Sequence, residues 1–389
     1  MARRILLFAT FATVVLTVYG SGFYYLLSSL AWAPAFPEPW KSVTTLVLGA
    51  FALSPLALSI AERTLPRERS RFLAWPANLF LGFAFYALLL LLLSDACLAF
   101  AGLVGEQEAG LTALRWRAAI VVAVALLFCA VGMSSALAPP RITRYEVHLK
   151  RWPKALDGFR IAQISDIHIG PLLDDRFARS VTERVNALGC DLIAVTGDLV
   201  DGPVRHLRQG VAPFADLEAP HGVYFVTGNH EYFSGADPWI DEVRRLGMRV
   251  LRNERIPIGD DEAIFDLAGV DDHRARSFGS DHGEDVPAAV AGRAPERAIV
   301  LLAHDPSTFP KAVAADVDLQ LSGHTHGGQI WPFNFLVRAA VGFVAGLYRR
   351  GASQLIVSRG TGYWGPPMRV RSPAEILEVT LRPEPAQPH

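Results

Sequence analysis

The sequence predicts an α/β layered domain over residues 141–389, preceded by an all-α bundle of four transmembrane helices in residues 1–140. Three observations predict it. Four long stretches of the first part carry no charge at all. Beyond them, short apolar runs of strand character alternate with helical stretches. Five of those runs are followed at once by Asp, Asn or His.

The charge-free stretches cover residues 5–37, 42–61, 72–94 and 118–140. Each is long enough for a helix to cross about 30 Å of hydrocarbon. They are apolar all round rather than striped, which suits helices facing lipid. The expected spans are about 5–30, 42–61, 73–95 and 118–139. Arg3 and Arg4 ahead of the first run, with Ala31-Trp32-Ala33 behind it, resemble a signal peptide. The run is too long for a signal h-region and Pro34 follows the would-be cut, so a retained helix is expected.

Loop charge orients the bundle. Arg3, Arg4, Arg63, Arg67, Arg69, Arg71, Arg141, Arg144, Lys150 and Arg151 fall on one side, and only Lys41, Arg115 and Arg117 on the other. The positive-inside rule then places both termini and the α/β domain in the cytoplasm, at the inner membrane. Cys97, Cys129 and Cys190 are scattered and form no disulfide framework, which fits a reducing compartment. Asp95 near the end of the third span is the one acid in an apolar stretch, and an intramembrane carboxylate raises the question of function.

The net charge of −1 conceals a split. Residues 1–140 carry 9 Lys and Arg against 6 Asp and Glu, and the remainder 28 against 32. A mildly acidic second part lacks the basic footprint of a nucleic-acid binder, so no nucleic-acid partner is expected.

Strands are expected at 160–165, 192–196, 223–227, 299–303 and 319–322, with helices around 174–188 and 237–246. The first strand leads into Asp166-Ile167-His168. The second leads into Gly197-Asp198, with Asp201 close behind, and the third into Gly228-Asn229-His230-Glu231. The fourth ends at His304 and the fifth at Gly323-His324-Thr325-His326. Ligands bind at the C-terminal edge of such strands. Imidazole mixed with carboxylate suits manganese, iron or zinc, whereas an all-oxygen set suits magnesium or calcium. So many ligands exceed the needs of one ion but fit two ions sharing a bridging carboxylate, an arrangement that serves phosphoryl transfer to water.

Asp-x-His, Gly-Asp-x-x-Asp, Gly-Asn-His-Glu, a lone His and Gly-His-x-His, in this order, resemble the signature of the calcineurin-like metallophosphoesterases. The resemblance runs from about Arg144 to Leu381. Gly323-His324-Thr325-His326-Gly327-Gly328-Gln329 and Val357-Ser358-Arg359-Gly360 are similar to a bacterial branch that includes membrane-anchored enzymes. It implies a four-layer αββα sandwich. It also implies one metal on Asp166, His168 and His326, another on Asn229, His304 and His324, and Asp198 bridging. His230 would be the general acid and Asp201 its orienting partner, a pairing that fixes a histidine's tautomer and raises its proton affinity. The branch resemblance also places Asp272 and Arg359 near the site.

His206, His221, His273 and His282 lack ligand spacing and read as surface residues. The apolar segment from Phe333 to Tyr348 is too short to span a bilayer and reads either as a buried lid helix or as an apolar rim touching membrane or lipid tail. The expectation is a membrane-anchored, two-metal phosphoesterase acting on phosphomono- or phosphodiesters. Its place in the membrane suggests a phospholipid or nucleotide-activated lipid as substrate. A non-catalytic scaffold of the same fold, or a membrane sensor, is the alternative.

Overall fold

The computed structural model describes residues 2–103, 110–260, 263–278 and 281–385, and the side chains of all these except 2–9, 11, 12, 14, 62 and 63. The chain divides into two compact units. One comprises Met1–Ala61 with Phe72–Val131, the other Glu62–Arg71 with Gly132–His389.

The first unit is helical. Helix α1 (Ala2–Leu27) runs into a π-helical turn at Ser28–Trp32. Helices α2 (Trp40–Thr64), α3 (Arg67–Leu103) and α4 (Leu111–Leu137) follow. Among the described residues, three segments are long and apolar enough to cross a membrane: Trp40–Ala61, Arg67–Leu103 and Leu111–Leu137. The first expected span, 5–30, forms the backbone of α1, but most of its N-terminal side chains lie outside the described residues. Aromatic rings pack the unit, Phe51 on Phe80 at 5.0 Å and Tyr86 on Phe128 at 4.5 Å. Asp95 is not isolated: Arg117 pairs with it and the Tyr25 hydroxyl donates to it. A guanidinium beside the carboxylate offsets its charge in apolar surroundings.

The second unit holds two six-stranded sheets. One runs in the order β1 (Arg141–Leu149), β12 (Glu375–Pro383), β2 (Phe159–Ile164), β3 (Leu192–Val195), β4 (Val223–Phe225), β5 (Arg249–Val250). The other runs β10 (Gly346–Arg350), β11 (Ser353–Val357), β9 (Leu319–Ser322), β8 (Ile299–Leu302), β7 (Ile264–Gly269), β6 (Glu254–Gly259). Both are mixed. β2, β3 and β4 are parallel neighbours, as are β7, β8, β9 and β11, while β12–β2, β6–β7 and β10–β11 are antiparallel. The five expected strands are therefore shared between the sheets, three in one and two in the other.

The central strands β3 and β8 are apolar on both faces because both faces are covered. On β8, Val300 and Leu302 enter the core between the sheets, while Ile299 and Leu301 pack outward against Val286, Phe309 and Ala312. Across the inter-sheet core they join Ile161, Leu192, Ala194 and Val226 of the first sheet. That sheet's outer face is covered by helices α5 (Asp175–Asn186), α6 (Val204–Val211) and α8 (Ala236–Arg245) through Val181, Val185, Leu207, Val211 and Trp239. The result is the four-layer αββα order that the resemblance implied. Helix α7 (Asn229–Ser234) is a short turn after β4. Residues 62–71 belong to this unit, where Arg67 donates to the Gly170 carbonyl at 2.8 Å and faces Asp174 at 3.4 Å.

Trp239 is fully buried, and its indole N–H donates to the Gly202 carbonyl at 2.9 Å, next to the loop that carries Asp201. Replacing it with alanine should cost about 3–5 kcal/mol. The melting temperature of the α/β unit, followed by scanning fluorimetry in detergent, should fall by about 10 °C.

Candidate active site

The site forms where the C-terminal ends of strands from both sheets meet. The turn after β2 stays hydrogen-bonded to the turn after β3: Ile167 and His168 N–H both donate to the Asp198 carbonyl, at 2.9 and 3.1 Å. In the second sheet, Gly323 N–H donates to the His304 carbonyl at 2.9 Å. The two sheets are then joined across the site, because His324 N–H donates to both oxygens of Asp166 at 2.9 and 3.1 Å.

These turns are tight. Asp166, His168, Asp198, His324 and His326 all have positive φ, between 50° and 70°. Each such residue costs roughly 1–2 kcal/mol and persists only where its surroundings over-determine it. Two glycines make the approach possible. A Cβ on Gly323 would lie 2.2 Å from Asp166 Oδ2, and one on Gly228 would lie 2.2 Å from Asp198 Oδ1.

Six of the seven side chains expected to hold metal are brought together. Asp166, His168 and His326 form one cluster, and Asp198, His304 and His324 another. His168 Nε2 and His326 Nε2 face each other at 3.0 Å, and His326 Nε2 lies 3.4 Å from Asp166 Oδ1. In the other cluster, His304 Nε2 is 3.1 Å from Asp198 Oδ2 and 3.3 Å from His324 Nδ1. Asp198 Oδ2 is also 3.9 Å from His168 Nε2, so its carboxylate lies between the clusters. Asn229 is buried and its Oδ1 has no hydrogen-bond partner. Buried oxygens are rarely left so, and ring nitrogens rarely face each other, unless a cation belongs between them. The donor set fits divalent metal ions.

Two acceptors fix the ring orientations. His168 Nδ1–H and His230 Nδ1–H both donate to Asp201 Oδ1, at 2.9 and 2.6 Å, which turns both Nε2 atoms inward. His304 Nδ1–H donates to the Thr196 carbonyl at 2.7 Å with the same effect. His230 N–H donates to Asp198 Oδ1 at 2.8 Å, and its Nε2 is 4.0 Å from Asp198 Oδ2.

Charge is concentrated here. Burial opposes protonation of His230, but Asp198 and Asp201 outweigh it and raise the imidazole to about 9. Burial likewise opposes ionisation of Asp201, yet His168 and His230 hold its carboxyl well below the usual range. Asp198 is held low in the same way, chiefly by His304 and His230.

Sequence reasoning did not assign a role to Glu231, although it lies within the third motif. It is fully buried and braces the site: its carboxylate accepts from Asp198 N at 3.0 Å, Leu199 N at 2.8 Å and Gly228 N at 2.7 Å. Burial and the Asp198 charge push it up to about 8, against the pull of those N–H groups. Arg369 was also missed. It is buried, donates to the Gly362 and Ser372 carbonyls at 2.9 Å, and lies 3.4 Å from His326 Nδ1. No spacing pattern marks it, since it is brought in from near β12. Asp272 is buried with an unpartnered Oδ2 and is pushed up to about 6 by burial. Arg359 lies against Gly327, next to His326, and pairs with Glu375 at 2.9 Å. His206, His221, His273 and His282 are partly or fully exposed and lie outside the ligand clusters.

The family model of the calcineurin-like phosphoesterases matches residues 159–328. A transmembrane protein with metallophosphoesterase domain from Bos taurus is 38% identical over 70% of this chain and 64% of its own length. An uncharacterized metallophosphoesterase from Helicobacter pylori is 36% identical over 65% of this chain and 67% of its own, and one from Aquifex aeolicus 33% over 62% and 92%. Thus the match spans slightly less than two thirds of the bovine relative. The chain belongs to the calcineurin-like metallophosphoesterase family.

Glu231→Gln should keep the shape but turn an N–H₂ group toward a backbone donor. Metal affinity should drop about 10–100-fold. Titration of the purified protein with manganese, read by metal content after desalting, checks this.

Proposed function

We propose that the protein is a membrane-anchored phosphoesterase that hydrolyses phosphomono- or phosphodiesters with two divalent metal ions. The observation that carries this reading is the sharing of Asp198 between two ligand clusters beside His230. Asp166, His168 and His326 would hold one ion, and Asn229, His304 and His324 the other, with Asp198 common to both. Bound there, the ions supply Lewis-acid polarisation of the phosphoryl oxygens and a water nucleophile at neutral pH. Manganese, iron and zinc all suit the ligand types.

The chain's own residues do the rest. His230, with Nδ1–H anchored on Asp201, turns Nε2 toward the clusters, where it would donate a proton to the leaving oxygen. Asp201 holds both His168 and His230 in the required tautomer. Asp198 fixes the His230 backbone, so acid and bridge move as one body.

Manganese-dependent hydrolysis of bis-p-nitrophenyl phosphate tests the reading. Activity should vanish on chelation and return with metal. Asp198→Asn should abolish it, and His230→Ala should lower kcat by about 10²–10⁴-fold. Failure of the protein to bind metal would refute the reading.

The bundle is read as four spans, α1 included, with both termini cytoplasmic at the inner membrane, because most of the loop lysines and arginines lie on one side, with only Lys41, Arg115 and Arg117 on the other. A green fluorescent protein fused to the C-terminus should then fluoresce in a bacterial host, and alkaline phosphatase at the same place should stay inactive. The reverse pattern would overturn the orientation. The membrane setting favours an amphiphilic substrate such as a phospholipid or nucleotide-activated lipid. Turnover of soluble nucleotides alone would remove that part of the reading.

A further inference from the structure

His230 is flanked by two carbon rings. Phe233 lies edge-on at 5.3 Å between centroids and Trp364 edge-on at 5.5 Å. Both are large aromatics left in the open, 66% and 56% exposed. Scattered exposed apolar side chains are ordinary. Two that touch the same histidine, itself in contact with Asp198 and Asp201, are not scattered.

Neither ring is loose. Phe233 belongs to α7, one turn beyond Asn229, and packs edge-on against Phe278 at 4.7 Å. Trp364 is fixed through its backbone. Its N–H donates to Gln329 Oε1 at 3.1 Å, and its carbonyl accepts from Gln329 Nε2 at 2.8 Å. Gln329 follows the last ligand, His326, by a single tight turn. Beyond it, the helix Asn334–Val341 has no buried residue, with Phe335 and Leu336 each 62% exposed. This part of the Phe333–Tyr348 segment is not a buried lid. Exposed apolar rings thus stand beside His230, and further exposed apolar side chains lie on the helix that follows Gln329.

The chemistry says what that surface meets. In hydrolysis, water oxygen bonds to phosphorus and releases one proton to solvent, the bond from phosphorus to the leaving oxygen breaks with its electron pair on that oxygen, and the His230 Nε2 proton passes to it; a solvent proton then restores His230. The leaving alcohol must then lie against His230, and hence against the rings on either side of it. Water-exposed aromatic rings gain by being covered with apolar matter.

Resting on the phosphoesterase reading, we propose that Phe233 and Trp364 form the leaving-group subsite and select esters whose leaving alcohol carries an apolar group. That group has one of two sources, an acyl or alkyl chain or a planar ring, and the test separates them.

The experiment uses the full chain in detergent with manganese. Ethyl, n-octyl and 2-phenylethyl phosphates, and their methyl diesters, have primary alcohols of similar acidity, so they differ in binding rather than reactivity. Each is measured below its micellar concentration as a substrate. Where turnover is too slow to read, it is measured as a competitive inhibitor of bis-p-nitrophenyl phosphate hydrolysis. The octyl or phenylethyl ester should exceed the ethyl ester at least tenfold in kcat/KM or affinity, and whichever leads identifies chain or ring. Phe233→Ala and Trp364→Ala should each shrink that ratio at least fivefold, with metal content and melting temperature unchanged, and Trp364→Phe should restore much of it. A wild-type ratio near one would overturn the proposal. So would variants that lower all three esters equally. If even bis-p-nitrophenyl phosphate is inert with metal bound, the phosphoesterase reading itself fails and takes this inference with it.

Discussion

Asp198 is the point from which the α/β unit is organised. Its carbonyl accepts from Ile167 and His168, which holds the turn after β2 against the turn after β3. Its N–H donates to Glu231, and one carboxylate oxygen accepts from the His230 N–H, which ties in the start of α7. The other oxygen faces His304 from the second sheet at 3.1 Å. A buried carboxylate is costly unless it is surrounded by donors and positive charge. That cost explains why so much backbone is bent toward this residue, and why left-handed conformations accumulate around it.

The two sheets bear that strain. The strands leading to the site are buried on both faces; β3 and β8 are apolar on both, while β9 sets Leu319 and Leu321 in the inter-sheet core and keeps Gln320 and Ser322 on its other face. Close-packed layers leave the strand ends little freedom, so the ligands are positioned by the core rather than by each other. The flanking groups follow the same logic. Asp201 is placed between His168 and His230, while the neighbouring carbonyl of Gly202 is held by the indole of buried Trp239. The rings beside His230 are treated differently: Phe233 and Trp364 are anchored through neighbours but left open to solvent.

Much of this was legible before any coordinates. Strands 192–196, 223–227 and 299–303 show as apolar runs because they are covered on both faces, 319–322 shows as an alternation of Leu with Gln and Ser, and the structure has all four within two residues at either end. The seven ligand candidates, His230 and Asp201 were legible because chemistry follows each strand directly. Asp95 was legible as an anomaly, but not its pairing with Tyr25 and Arg117, which come from other helices. Glu231 was read as part of a motif and not as a brace, because its three donors come from Asp198, Leu199 and Gly228. Arg359, expected near the site, pairs with Glu375, a residue that local spacing could not bring to it.

By itself the sequence determined the apolar segments, the strand-and-helix alternation and the order of ligand types, because each depends on residues close together along the chain. Only the tertiary structure decided that β12 inserts between β1 and β2, pairing Arg141 with Glu375 and Leu377 with Gln163. It alone brought Arg369 against His326 and Trp364 against His230. Such contacts join segments separated by long loops. Their closure is favoured by burial of the whole core, and no local pattern encodes which distant strand will complete the sheet.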